Sequence, residues 1–453
     1  MAAILLLDLP GRHPWPVVLG VLAAWLLASY FHSCGKIWHT YREFPEKYGP
    51  LVRIGSNTII TDDPVIIRKL GAPRETHKRG SWYKGARLNP YNDHMLSILE
   101  TKTHDERKAK SAGAYSGRET PWLEASVDEQ YLPSTESAKR LHLPLDFAQL
   151  SAYFTMDVIS KLAFGEQFGC LRTDSDYTGF ITSVRSTLPR IGMLTDHPWL
   201  RAIFFSRLFL KYFGPKISDP TGVGKMMGVA HELVVKRFEP GAKDEKDMMG
   251  TFICHGMTQD DCEAEALLMI TAGSDTSAAI RSAVLRTITN PLIYQSFKAE
   301  IKAAVDGGNV SSPISYKQAQ KLPYLRAIMY EGIRMRPPAP GIAPKTIGLS
   351  DETMHGKYLP LGTLLDAPAR AKMEQNIEPV FGYGRWMCAG KPIAFMELHK
   401  ILYAVGLTLL YTDFKQLFRH FDFQIVDVTK PWNSISYLGW METEMWVKVT
   451  ETT

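Results

Sequence analysis

Cysteine is scarce in this chain and poorly placed for pairing. Five stand at Cys34, Cys170, Cys254, Cys262 and Cys388, an odd number scattered over 453 residues. That spacing excludes a disulfide framework and a zinc site of the Cys-x-x-Cys kind, and places the main body in a reducing compartment. Basic blocks are missing as well. The formal net charge of +5 is carried without a Lys/Arg run, which excludes a nucleic-acid partner and suits an anionic lipid surface or an acidic protein. No internal repeat, low-complexity linker or glycine-rich nucleotide-binding loop interrupts the chain. What remains, 45% hydrophobic and 22% charged, is the composition of one large globular domain.

Long charge-free runs are also few, and one stands out. Residues 15–31 (WPVVLGVLAAWLLASYF) span roughly 25 Å as a helix, enough to cross a bilayer. Residues 1–33 are therefore expected to form a membrane anchor and residues 34–453 the working domain. A cleavable signal peptide is the rival reading. Lys36, Arg42, Lys47 and Arg53 follow the run while Arg12 alone precedes it, so the chain is expected to be single-pass with its body cytosolic.

Strand patterns are short and confined. Residues 51–54 and 58–61 flank Gly55-Ser56-Asn57, a hairpin, and Asp62-Asp63-Pro64 opens a helix. Helical periodicity then covers residues 143–164, 203–212, 231–238, 258–289, 291–305, 323–336 and 391–411, and alternation returns at 421–426 and 444–449. The fold class is mainly α with a small β-sheet.

Polar residues in unusual places mark the candidate chemistry. Cys388 follows Phe381-Gly382-Tyr383-Gly384-Arg385-Trp386-Met387, and Gly390-Lys391-Pro392 then opens a helix. The glycines permit a tight bend or a close approach to something flat. The helix N-terminus, with Arg385 and Lys391 nearby, favours a thiolate, the form a metal takes; the alternative is a small buried hydrophobe in a turn. The 258–289 helix, about 30 residues and roughly 45 Å long, is apolar on all sides in its middle, yet holds Ala272-Gly273-Ser274-Asp275-Thr276. A glycine there costs about 1 kcal/mol against alanine, and a buried acid needs a partner. This stretch is either a notch where another helix crosses or a chemical site. Glu331 and Arg334, three apart, share a helical face and are expected to pair. His104-Asp105-Glu106-Arg107-Lys108 reads as a charged helical face.

Together these stretches resemble the cytochrome P-450 family. Residues 381–390 are similar to its cysteine loop, Phe-x-x-Gly-x-Arg-x-Cys-x-Gly, with Arg385 one position early and Trp386 in its slot, a variant shared with fungal members. Residues 272–276 match its oxygen-activation motif, and Glu331 with Arg334 its Glu-x-x-Arg pair. The resemblance implies the fold of that family and a haem b (iron protoporphyrin IX) cofactor whose iron is ligated by Cys388, with Arg385, Phe381, Gly382 and Gly390 cradling it. Thr276 is then expected to steady the oxygen being activated, and Asp275, with water, to relay protons. His104, with Arg107 or Lys108, and Lys345 are expected to hold the haem carboxylates, while Glu331 and Arg334 serve as scaffold.

The implied activity is a monooxygenase inserting one atom of O2 into a small apolar organic substrate. Its NADPH electrons are expected through an NADPH-cytochrome reductase at the endoplasmic reticulum membrane. The fungal look of the loop suggests secondary metabolism. Met269, Ile270, Ala339, Ile342 and Ala343 are expected to line the substrate pocket. One feature departs: between Gly362 and Phe381 the family's Pro-Glu/Asp-Arg-Phe/Trp meander is lacking, with Pro368-Ala369-Arg370 a poor substitute. The second reading is therefore a haem-binding remnant without turnover.

Overall fold

The structure is a computed structural model describing residues 37–55, 57–72, 77–130, 144–275, 278–339, 344–348, 351–366, 378–408 and 421–451. The expected anchor lies outside the described residues. Among those described, no helix is long and apolar enough to cross a membrane.

Helix α1 (Ile37–Tyr48) leads into the hairpin of β1 (Leu51–Arg53) and β2 (Thr58–Thr61), whose register pairs Val52 with Ile60. Asp63 then caps α2 (Pro64–Gly71) by accepting from Val65 N at 2.8 Å, with proline pre-set for the first turn. Strand β3 (Lys78–Arg79) precedes α3 (Thr101–Tyr115), α4 (Leu123–Glu129), the two-residue β4 (Leu145–Asp146) and α5 (Phe147–Phe164). The helix expected from residue 143 starts only at Phe147, because Asp146 is paired with Trp446 as a strand and its carboxylate accepts from Ala148 N at 3.0 Å. Helix α5 ends where Gly165 turns left-handed, φ +79°.

Next come α6 (Phe180–Asp196), α7 (Pro198–Phe204), α8 (Arg207–Phe213), α9 (Gly222–Val235) and α10 (Met248–Cys254). The single helix expected at 203–212 is thus broken in two at Ser206, whose hydroxyl accepts from Phe209 N at 3.2 Å. The helix expected at 231–238 is the end of α9. The expected long helix is described as α11 (Gln259–Asp275) and α12 (Ala278–Ile288), flanking residues 276–277, which lie outside the description. Helices α13 (Pro291–Asp306), α14 (Pro323–Met335) and α15 (Lys391–Thr408) follow the sequence pattern closely.

The remaining strands are β5 (Lys345–Thr346), β6 (Glu352–Met354), β7 (Lys357–Leu359), β8 (Leu364–Asp366), β9 (Phe421–Ile425), β10 (Asn433–Ser436), β11 (Trp440–Thr443) and β12 (Trp446–Glu451). One five-stranded sheet runs β1-β2-β8-β5-β3, and a three-stranded one β4-β12-β9. The first covers a small core of Leu51, Ile59, Ile66, Leu70, Ile347 and Leu365. The large core is helical, with α5, α9, α11, α12, α14 and α15 around Phe180, Met226, Leu267, Ile280, Met329 and Leu402. At the crossing of α14 on α12, a Cβ on Gly332 would lie 2.7 Å from Ala279 O. Glycine is what lets the two helices touch. Arg281 of α12, fully buried, donates to Glu442 of β11 at 2.6 and 3.0 Å, tying the helical body to the β10–β11 hairpin.

Candidate haem-thiolate site

The cysteine loop is built from its own short-range bonds. Two 3-10 turns, Glu378–Phe381 and Gly384–Trp386, fold it back so that Cys388 N donates to Phe381 O at 2.6 Å. Gly382 (φ +73°) and Gly384 (φ +56°) occupy the left-handed region that the bend requires. Phe381 is buried against Phe395 of α15, ring centroids 5.3 Å apart. Tyr383 lies so close to α2 that a Cβ on Gly71 would come within 2.5 Å of its own. The loop is thus pinned between α2 and α15, with Gly390 beside the sulfur: a Cβ there would stand 3.8 Å from Cys388 Sγ.

Cys388 is exposed. Burial pushes its thiol up, against the pull of the Gly390 N–H, the Lys108 ammonium, the Lys391 N–H and the Lys391 charge. A bound metal cation reverses that balance.

A cluster of cations and rings stands against the loop. Arg79 lies 4.5 Å from the centroid of Trp386 and Lys345 4.6 Å, and both also face Tyr83. They meet because β3 and β5 pair Arg79 with Lys345 in register. Two like charges opposite one another are unfavourable by themselves. His104 completes the group, its buried ring 4.4 Å from Trp386 and held at a pKa of about 4 by burial and then by Arg79. Trp386, in the arginine's usual slot, is therefore the plate on which these groups stack, while Arg385 Nη1 lies 3.6 Å from Asp105 Oδ2. Arg79 carried no signal in the sequence, since only strand pairing brings it here.

Arg107 does not join them. It donates to Asp261 and, at 3.1 Å, to Glu265, both on α11, so its guanidinium is taken up by that helix. This corrects its expected place at a haem carboxylate. Glu265 also accepts from Met95 N at 2.6 Å, and burial lifts its pKa to about 7. That joint between α3, α11 and the 93–98 segment was not foreseen. Lys108 donates to Arg385 O and Met387 O, both at 2.7 Å.

On α11, Met269 and Ile270 turn into the core, 3% and 0% exposed, which corrects their expected place at a pocket wall. Ala272 is the exposed position. A Cβ on Gly273 would meet Ile159 of α5 at 2.7 Å, so helix crossing accounts for that glycine. Thr155 of α5 donates to Ser274 O at 3.0 Å. Asp275 closes α11; its side chain and Thr276 lie outside the described residues, as do Ile342, Ala343 and Pro368-Ala369-Arg370. Ala339 is exposed. Glu331 and Arg334 pair as expected, Nε to Oε2 at 2.7 Å, on a half-exposed face of α14. A cleft of about 740 Å³ between α12, the end of α14 and β9, lined by Arg286, Met335, Arg336 and Trp432, is separate from the cysteine loop.

These residues fit an iron porphyrin. Cys388 would hold the iron through its accessible soft sulfur, and the cations gathered on Trp386 and Tyr83 would suit the two carboxylates of an aromatic macrocycle. Fold and site together define the class of haem-thiolate proteins.

Comparison with known proteins agrees. The family model described as Cytochrome P-450 matches residues 19–371. Cytochrome P-450 monooxygenase aba1 of Botryotinia fuckeliana is 43% identical, covering 97% of this chain and 92% of the relative. Cytochrome P-450 monooxygenase abl1 of Leptosphaeria maculans is 38% identical over 94% of the chain and 81% of the relative. The crystal structure of cytochrome P-450DA heme domain superposes with a TM-score of 0.70 at 15% identity, covering 92% and 94% of the two chains, which supports the fold. The chain belongs to the cytochrome P-450 family and is a cytochrome P-450 monooxygenase, an oxidoreductase. Family membership implies haem, a reductase and an organic substrate. The alignment with aba1 spans 479 positions, more than the 453 residues here, so it holds gaps on this side.

Proposed function

We propose that this chain inserts one atom of O2 into a small, mostly apolar organic molecule in fungal secondary metabolism, drawing NADPH electrons through a flavoprotein reductase. The observation that carries this is Cys388, accessible at the end of a glycine-bent loop beside a cation-and-ring cluster. When bound, haem supplies the reductive activation of O2; the chain supplies ligation, orientation and protons. Cys388 would hold the haem iron, with Phe381, Gly382, Arg385 and Gly390 shaping its loop. His104, Arg79 and Lys345 hold the haem carboxylates. Asp275 and Thr276 would hold and move a proton during oxygen activation. Glu331 and Arg334 are scaffold. Residues 1–33 anchor the chain in the endoplasmic reticulum, leaving 34–453 in the cytosol.

The test is a reduced carbon monoxide difference spectrum of microsomes holding the full chain. A red-shifted band is expected, and Cys388→Ser should abolish it; survival of the band in that variant would reject the ligand. Protease added to the same sealed microsomes should digest the body, and protection would reject the topology.

A second reading is favoured by one observation. Strand β8 already takes Leu364–Asp366, so only residues 367–377 join it to the turn that begins at Glu378. That leaves little chain to buttress the loop, and such a protein binds haem without turnover. A normal spectrum with no substrate-dependent NADPH consumption, reductase supplied, identifies this case.

A further inference from the structure

Lys108 is turned toward the main chain of the cysteine loop. Its ammonium donates at 2.7 Å to the carbonyl of Arg385 and at 2.7 Å to that of Met387, the residue next to the cysteine. One helical turn earlier, His104 stacks on Trp386, and Asp105 faces Arg385 at 3.6 Å. Helix α3 therefore grips three consecutive residues, 385 to 387, immediately before the sulfur. Met387 is bonded directly to Cys388, so the bond to its carbonyl holds the ammonium in the loop beside the cysteine.

We infer that Lys108 is a positioning residue for the thiolate: it locks the carbonyls of Arg385 and Met387 and places a positive charge beside Cys388. The inference rests on the haem-thiolate reading above. A nearby cation stabilises whichever state is more negative, so it makes the ligated iron easier to reduce. Charge-assisted bonds to two carbonyls oppose the loop movement by which a thiolate takes up a proton or leaves the metal. Both effects belong to Lys108 as donor and as charge, and neither needs it at a haem carboxylate.

The experiment uses the purified full-length chain with haem, as wild type, Lys108→Met and Lys108→Arg. Three quantities are read: the midpoint potential of the iron, the rate at which the red-shifted carbon monoxide band decays to the thiol-ligated form, and the rate of haem transfer to apomyoglobin. Lys108→Met should lower the potential and speed the decay at least about tenfold, since both charge-assisted hydrogen bonds are lost, with haem transfer unchanged. Lys108→Arg should hold the potential near wild type. Faster haem transfer with unchanged decay would assign Lys108 to a haem carboxylate and overturn the inference. A potential unchanged in Lys108→Met, or lowered equally in both variants, would also overturn it. A wild-type chain lacking the band would instead overturn the haem-thiolate reading itself.

Discussion

Thr276 is the residue on which two roles divide most sharply. Its neighbour Gly273 is accounted for by the crossing of α5, where Ile159 leaves no room for a Cβ. A hydroxyl two positions past the buried Ser274 serves either its own backbone or bound oxygen. Thr276→Val keeps the shape and removes the hydroxyl. A purely structural threonine would cost about 1 kcal/mol of stability and leave coupling intact. The proposed role predicts normal haem binding with NADPH electrons diverted to hydrogen peroxide, and Asp275→Asn should slow turnover without changing the spectrum. Peroxide formed per NADPH consumed decides between them; unchanged coupling in both variants leaves residues 272–276 as a packing notch.

At the scale of an element, α15 carries the cysteine loop into the core and buries two titratable side chains on the way. Lys400 is fully buried but well matched, by Glu124 and Asp128 at 2.8 Å and the Ile314 carbonyl at 2.7 Å. Glu397 has no such match among the described residues. Burial alone lifts its pKa from 4.5 to about 8. The folded protein therefore keeps this proton where the unfolded chain has lost it, and stability from this group falls as pH rises through that window. Glu397→Gln stays neutral throughout. The stability of the variant relative to wild type should rise by about 1.4 kcal/mol per pH unit within the window, read from urea midpoints at about pH 5, 6 and 7. A difference independent of pH would show that Glu397 is not buried as a proton-bound acid.

Across the whole molecule, the helical body and the C-terminal strands are joined by a buried ion pair. Arg281 and Glu442 are 2% and 0% exposed, and Ser151 of α5 accepts from the same guanidinium at 3.3 Å. Such a pair contributes little net stability, but removing one partner strands the other. Arg281→Met is expected to cost about 3–5 kcal/mol, whereas the double variant Arg281→Met with Glu442→Leu should recover most of it. Urea unfolding of the four proteins closes the cycle. Additive losses would mean that the two charges do not depend on each other.

Features that depend on near neighbours could be read along the chain. The bend at Gly382 and Gly384, the β1–β2 hairpin, the cap at Asp63 and the Glu331–Arg334 pair were all legible, because each is closed within a turn or two of chain. The apolar periodicity likewise set most helices and the mainly helical class. Tertiary structure decided where distant charges meet. Arg79 reaches Lys345 only through strand pairing, Lys108 reaches the Arg385 and Met387 carbonyls only through the docking of α3, and Arg107 is drawn to Asp261 and Glu265 by α11. Each of these meetings joins residues far apart in the chain, and only the packing of helices and strands brings them within bonding distance.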